Sequence, residues 1–153
     1  MTLLTIGLPV HNAMPFLPRV VDSLLSQTYK DFELLIIDDG STVNSNDYRK
    51  SLKDPRLRLL RQKNGGLSAT LNRMLNEATS PWLVRHDADD FAFPKRLELI
   101  VDHLTRFPAA GMFYSHARYW TQEGRCLGTF RTTPATAGEE GKTTQAGNAQ
   151  ASW

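Results

Sequence analysis

Aspartates gather where two apolar runs stop. Phe32-Glu33-Leu34-Leu35-Ile36-Ile37 leads into Asp38-Asp39-Gly40-Ser41, and Trp82-Leu83-Val84-Arg85-His86 leads into Asp87-Ala88-Asp89-Asp90. Carboxylates do not serve an apolar core, because charge resists burial unless it is paired or bound to metal. Placed at the ends of buried strands, they suit a site that holds a cation and a polar ligand. Asp87-Ala88-Asp89 has the D-x-D form. In extended backbone alternate side chains share a face, which would let Asp87 and Asp89 converge. Oxygen donors suit hard cations, and Mg²⁺ or Mn²⁺ takes one or two carboxylates together with substrate phosphates. The same letters also describe an Asp-rich turn in which Asp90 or a neighbour caps the helix after Pro94. D-x-D alone leaves both readings open.

The other polar groups carry alternatives of their own. Asp38-Asp39-Gly40-Ser41 is ordinary turn chemistry as well as an acidic strand end. An acid after a second strand can bind the ribose of a dinucleotide, but only with a glycine-rich turn after the first strand. That position holds Pro9-Val10-His11-Asn12-Ala13, so a dinucleotide site is not expected, and there is no P-loop. Asn64-Gly65-Gly66-Leu67-Ser68 precedes a helix, where free amides would face an anion or simply begin the helix on flexible glycines. His11, His86, His103 and His116 lack metal-ligand spacing, and His103 reads as a packing or surface residue. Lys95-Arg96 reads as a solvated face.

These residues need a scaffold, and a chain of 153 residues is long enough for one domain with a core of its own. A net charge of +2, with scattered Lys and Arg, argues against nucleic acid as a partner. The single cysteine, Cys126, excludes an internal disulfide and fits a reducing compartment. The N-terminus lacks a signal peptide's basic and apolar regions, and no run reaches the roughly 18–20 apolar residues of a membrane span. The expectation is a cytoplasmic protein without a transmembrane segment.

Strands are expected at residues 3–10, 32–37, 57–60, 82–86 and 111–115, from short branched apolar runs bounded by turn residues. Helical spacing predicts a helix from Pro15 with Phe16, Leu17, Val20, Val21, Leu24 and Leu25 inward. A second helix carries Leu67, Leu71, Met74, Leu75 and Ala78, and a third starts at Pro94 and carries Leu97, Ile100, Val101, Leu104 and Phe107. Residues 41–52 read as part loop, part short helix. Strands alternating with helices imply parallel pairing through right-handed crossovers. The fold class is therefore α/β, with ligands at the carboxyl ends of the strands, where the aspartates fall. From Arg131 to Ser152 there is no Leu, Ile, Val, Met or Phe, a composition that predicts a disordered low-complexity tail over residues 131–153.

The order of the pieces resembles glycosyltransferase family 2. Pro9-Val10-His11-Asn12, then Ser26-Gln27-Thr28-Tyr29, then the run into Asp38-Asp39-Gly40-Ser41 look like the opening of such enzymes. Asn64-Gly65-Gly66-Leu67-Ser68 with Asn72, Asp87-Ala88-Asp89-Asp90 and Pro94 continue the pattern, and the likeness covers residues 3–120. It implies a Rossmann-like GT-A fold, a nucleotide-diphosphate sugar donor, with a UDP-sugar first among them, and Mn²⁺ or Mg²⁺ as cofactor. By the same resemblance Pro9, Val10, His11 and Asn12 lie against the base, and Asp39, with Asp38 beside it, binds base and ribose. Asn64, Gly66 and Ser68 border the nucleotide. Asp87 and Ala88 complete the donor set, while Asp87 and Asp89 hold the metal, Asp89 as the direct ligand with Asp90 adjacent.

The family's general base, which deprotonates the acceptor hydroxyl, lies well beyond the D-x-D. No matching segment is seen before the polar tail, and Glu139-Glu140 are not assigned that role. Residues 1–130 are thus expected to be the nucleotide-sugar-binding part of an inverting transferase acting on a glycan or lipid-linked acceptor in polysaccharide or cell-envelope synthesis, in the cytoplasm or at the inner face of the membrane. The alternative is a truncated, non-catalytic remnant that at most binds nucleotide and metal. A nucleotidyltransferase would want a glycine-rich, basic loop near the N-terminus, which is absent.

Overall fold

The computed structural model describes residues 2–42, 48, 52–121 and 123–130. In chain order the elements are β1 (Leu4–Val10), α1 (Leu17–Leu25), β2 (Phe32–Asp39), β3 (Leu57–Gln62), α2 (Gly66–Glu77), β4 (Trp82–Arg85), α3 (Arg96–Arg106), β5 (Ala117–Trp120) and β6 (Cys126–Phe130). The expected helix within residues 41–52 falls almost wholly outside the described residues, and the expected tail wholly outside them. Contacts divide the chain into two compact units, Met1–Glu98 and Leu99–Trp153.

The first unit is built on a four-stranded sheet in the order β3-β2-β1-β4, with every described pairing parallel. Parallel strands covered on both faces read as continuous apolar runs, and β1 and β2 do so. Leu4, Ile6, Leu8, Leu34, Leu35, Ile36 and Ile37 are fully buried. Period-two alternation divides β2 between the faces. Leu35 and Ile37 pack with Met74 of α2, joined by Leu60, Leu71 and Leu83. Ile36 faces the other way and lines a small cavity with Val10, Leu17 and Leu59. Helix α1 buries Leu17, Val20, Val21 and Leu24 as its spacing predicts, with its proline at the helix entrance, where no intrahelical donor is lost. Phe16 stays exposed at the N-cap.

Pro9 lies in the central strand, a place that normally excludes proline. Along a strand, the N–H and C=O of one residue point the same way and alternate from residue to residue. Gly7 O accepts from His86 N at 3.0 Å, so Gly7 and Pro9 both face β4. Strand β4 ends at Arg85, level with Gly7, so the missing N–H of Pro9 forfeits no ladder bond. Beyond that level β1 is paired only with β2, and the chain after β4 is free to turn.

Helix α2 is rotated relative to the expected face. Its buried residues are Thr70 and Met74, whereas Leu67 and Leu75 are 49% and 63% exposed. The cause is tertiary. Thr70 Oγ1 bonds Gln62 Nε2 at 3.1 Å, and Met74 sits over Gly7, where an added Cβ would come within 2.9 Å of its sulfur. These two fittings set the rotation.

In the second unit, the strand expected at residues 111–115 does not form. The antiparallel ribbon β5–β6 lies further on, and Phe113 turns edge-on to His103, with ring centroids 6.3 Å apart. The apolar run there finds no partner strand among the described residues.

Truncating Met74 should show where the core lies. Met74→Ala is expected to cost about 2–5 kcal/mol, and Leu75→Ala, on the exposed side of the same helix, less than about 0.5 kcal/mol, by urea denaturation.

Candidate functional site

The sheet order decides which acidic residues can meet. Strands β2 and β4 flank β1 and run the same way, so the segments leaving them emerge at the same carboxyl edge. With strands about 4.8 Å apart, two steps across the sheet separate them by roughly 10 Å. Between them, at the end of β1, stand His11 and Asn12.

Strand β2 continues through both aspartates, so Asp38 and Asp39 are buried residues of the strand itself, 4% and 5% exposed. Asp39 is engaged through both oxygens. Its Oδ1 accepts from Gln62 Nε2 at 2.7 Å and Gly65 N at 2.9 Å, and its Oδ2 accepts from Gly66 N at 2.9 Å. Burial alone would raise its pKa, but the hydrogen bonds from Gln62, Gly65, Gly66 and Thr70 outweigh it and hold the carboxyl below its ordinary value. The anion facing the amides at the start of α2 is thus the protein's own carboxylate. Asp38 Oδ1 accepts from Ser41 N at 2.9 Å, the turn bond expected of Asp-Gly-Ser. Its Oδ2 is buried without a hydrogen bond among the described residues, with Arg61 Nε 3.7 Å away.

Gly40 takes φ 71°, and a Cβ there would lie 2.7 Å from Asn64 N, so only glycine lets these two loops approach. His11 Nδ1 is 2.8 Å from Asp39 O. A carbonyl only accepts, so that nitrogen carries the proton, and Nε2 accepts from Asn12 Nδ2 at 3.1 Å and Asn64 Nδ2 at 3.5 Å. Asn12 occupies the left-handed region at φ 53°, donates its N–H to Ser41 Oγ at 3.0 Å and accepts from Thr42 N at 2.9 Å. His11, Asn12, Asp39 and Asn64 are therefore one connected group, with Gly66 joined through Asp39. Pro9 and Val10 lead into it on β1. Ser68 is exposed on the first turns of α2.

The D-x-D segment is a turn rather than extended backbone, closed by Asp90 N to Asp87 O at 3.1 Å. Strand alternation therefore does not relate Asp87 to Asp89. Both oxygens of Asp87 meet Arg85, with Nη2 to Oδ1 at 2.9 Å and to Oδ2 at 3.0 Å. Ala88 is half-buried, and Asp89 and Asp90 are exposed. Desolvation, then the charges of Asp89 and Asp87, raises the pKa of Asp90. Negative charge is concentrated on this turn. Among the described residues no group of three His, Cys, Asp or Glu is close enough to hold a metal unaided.

Several partners were not visible in the sequence, and one expectation fails. Arg96 is not a solvated cation. It is half-buried, with Nη1 3.0 Å from His86 Nδ1 and Nη2 3.0 Å from Arg85 O. His86 is 5% exposed, with Nε2 3.3 Å from Asp90 O. Desolvation first, then the Arg96 charge, lowers its pKa to about 4. Gln62, Arg85 and Arg96 carry no motif that would single them out.

Comparison with known proteins bears on the family and the fold. The profile of "Glycosyl transferase family 2" matches residues 5–144. The chain is 30% identical over 128 residues to the glycosyltransferase GlyA of Streptococcus pneumoniae, an alignment covering 74% of this chain and 18% of that protein. Staphylococcus aureus TarS, solved with UDP-GlcNAc, superposes with a TM-score of 0.65 at 20% identity over 70% of this chain and 32% of that one. The mannosyltransferase PcManGT of Pyrobaculum calidifontis, solved with GDP-Man and Mn²⁺, superposes with a TM-score of 0.54 at 26% identity over 63% of this chain and 30% of that one. The fold is the α/β, Rossmann-like GT-A fold. The chain belongs to glycosyl transferase family 2. It spans about a fifth of the length of that curated relative.

His86 makes stability depend on pH in a defined window. Its folded pKa, about 4, lies below the ordinary 6.5, so between these values the unfolded chain binds a proton that the folded one does not. Stability should fall as pH drops from about 6.5 to 4, by on the order of 3 kcal/mol at most. His86→Gln should flatten that part of the profile in denaturant titrations.

Proposed function

We propose that this chain is the donor- and metal-binding part of a glycosyltransferase that moves a sugar from a nucleotide-diphosphate sugar to an acceptor hydroxyl with inversion. The observation that carries the reading is the parallel sheet order, which brings the Asp38-Asp39 strand end and the Asp87–90 turn to one edge on either side of β1. Family membership and relatives named as glycosyltransferases support it.

On this reading the base and ribose lie against Pro9, Val10, His11, Asn12 and Asp39. The carboxylate of Asp39 is already ionised and fixed by three donors, leaving Oδ2 with a lone pair for a ribose hydroxyl or a base N–H. Such a group needs no reorganisation when the ligand arrives. Asn64, Gly66 and Ser68 border the same pocket.

The acidic turn suits a divalent cation. The donors are hard oxygens, and desolvation first, then the like charges of Asp89 and Asp87, raise the proton affinity of Asp90, which supports a place for added positive charge. Asp89, exposed at its apex, and Asp87 would hold Mn²⁺ or Mg²⁺, with donor phosphates completing the ligand set. When bound, such a cation stabilises the charge that develops on the departing nucleoside diphosphate. The Arg85–Asp87 pair does not prevent this, since an ion pair with half-exposed partners is worth about 0–1 kcal/mol.

A UDP-sugar is the preferred donor in this proposal, in keeping with the TarS complex, although PcManGT was solved with GDP-Man. The acceptor would be a glycan or a lipid-linked sugar in the synthesis of a polysaccharide of the cell envelope. No described helix is long and apolar enough to cross a membrane, and we place the chain in the cytoplasm or at the membrane's inner face. Glu139-Glu140 lie outside the described residues, and the acceptor base is not assigned to this chain.

Calorimetric titration with UDP, with and without Mn²⁺, tests the reading. Mn²⁺ should tighten UDP binding by about tenfold or more, which corresponds to 1.4 kcal/mol or more. Asp89→Ala should abolish that gain and leave metal-free UDP binding in place. A wild-type protein whose UDP affinity ignores Mn²⁺ would sink the proposal.

A further inference from the structure

The segment Ser26-Gln27-Thr28-Tyr29 has a recurring place in the resemblance but no part in the site so far. Gln27 is fully buried at the C-terminal end of α1. A buried amide must find partners for both ends, and all of those described for Gln27 are backbone atoms. Its Nε2 donates to Phe93 O at 2.8 Å and Ser23 O at 3.1 Å, with Ala92 O at 3.5 Å. Its Oε1 accepts from Leu97 N at 3.1 Å. The neighbours of Gln27 do the same work. Ser23 Oγ accepts from Ala92 N at 3.2 Å, and Thr28 N donates to Pro94 O at 2.8 Å. Every backbone group in this set belongs either to α1 and the residues just after it or to residues 92–97, the stretch just after the acidic turn.

The end of that stretch reaches back to the turn. Arg96 donates to Arg85 O, Arg96 Nη1 meets His86 Nδ1, and His86 Nε2 meets Asp90 O. Because Asp90 O only accepts, Nε2 carries the imidazole proton and Nδ1 accepts from Arg96. The acidic turn is thus held from two sides. Strand pairing of β4 with β1 fixes where it begins, and a relay from α1 through residues 92–97 and Arg96 fixes where it ends. Backbone recognition by Gln27 works whatever side chains follow, so it sets position rather than chemistry.

We propose that Gln27 and Arg96 are positioning residues: together they clamp residues 86–97, so that the acidic turn is preformed for the cation at a fixed distance from the nucleotide-binding end of β2. The role of the turn in this inference rests on the donor and metal reading above. The contacts described for both are within the protein, and neither is assigned to donor or metal. Their work is to remove the conformational freedom that the turn would otherwise lose on binding.

Two measurements on Gln27→Ala separate this from a general packing role. In metal-free protein, amide hydrogen exchange over residues 86–97 should quicken by about tenfold or more, while β1 and β2 stay within about twofold of wild type. In calorimetry, the Mn²⁺-dependent gain in UDP affinity should fall by about tenfold, with metal-free UDP affinity unchanged. Arg96→Lys, which keeps the charge and leaves Gln27 in place, should shift both readouts the same way, and it serves alone if Gln27→Ala does not fold. Unchanged exchange over residues 86–97, or equal quickening across the whole sheet, overturns the clamp. If wild-type UDP binding proves indifferent to Mn²⁺, the donor and metal reading fails and the clamp's role toward a cation fails with it, while the exchange data still decide whether the clamp exists.

Discussion

A carboxylate 5% exposed at the end of an inner strand would be intolerable without partners, and the arrangement around Asp39 is what makes it tolerable. Three donors from two separate places converge on it: the Gln62 amide at the end of β3 and the first amides around α2. Backbone N–H groups at a helix start have no partners within the helix and carry its positive end, so a negative charge there offsets both deficits at once. The consequence extends beyond one residue. Bonding Gly65 and Gly66 fixes where α2 begins, which in turn lays Met74 over Gly7 and sets which of the helix's leucines are left in solvent. Removing this carboxylate would take away the acceptor described for Gly65 N and leave Gly66 N only Asn64 Oδ1, on the very loop that borders the proposed nucleotide.

The same edge of the sheet explains why histidine and asparagine follow Pro9. Proline can end the central strand there because β4 has already departed, and that departure releases the chain into the acidic turn. Asn12 is among the few residues that enter the left-handed region at modest cost, and its side chain then ties the β1 loop to Thr42. Gly40 permits the matching approach from β2. The β1 and β2 loops and the start of α2 are thereby locked to one another before any ligand is present. That is the condition for a binding group to act without reorganising.

What could be read from the sequence follows from how local each cause is. Strand and helix existence in the first unit was legible because burial on both faces of a parallel sheet leaves unbroken apolar runs, and α1 shows its period in Leu17, Val20, Val21 and Leu24. The aspartates were legible as edge residues because nothing in a core wants them. Their partners were not. Gln62 lies 23 positions from Asp39, and the Leu97 amide lies 70 positions from Gln27, distances over which a single sequence carries no pairing signal. Arg96 read as a surface cation because charge type alone does not report a buried imidazole nearby. The expected strand at residues 111–115 failed for a related reason. An apolar run specifies that something must cover it, and whether a neighbouring strand does so is decided elsewhere in the chain.

The two acidic segments, alike in composition, end in opposite electrostatic states, and the difference divides their labour in the proposed site. Asp39 is well supplied with donors on both oxygens, so its proton is held off and its position is fixed. The 87–90 turn is undersupplied: Arg85 meets Asp87, while desolvation first, and then the like charges of Asp89 and Asp87, raise the proton affinity of Asp90. A carboxylate hydrogen-bonded on both oxygens is a poor place for a metal, because a cation would have to displace good hydrogen bonds. An unsaturated cluster on an exposed turn is a good one, because a divalent charge relieves repulsion that the protein itself leaves in place. Had the donor supply been reversed, the cation would be drawn to the proposed ribose end and away from the bond that the proposed transfer must break. The distribution of donors, more than the presence of aspartate, is what suits each segment to its proposed role.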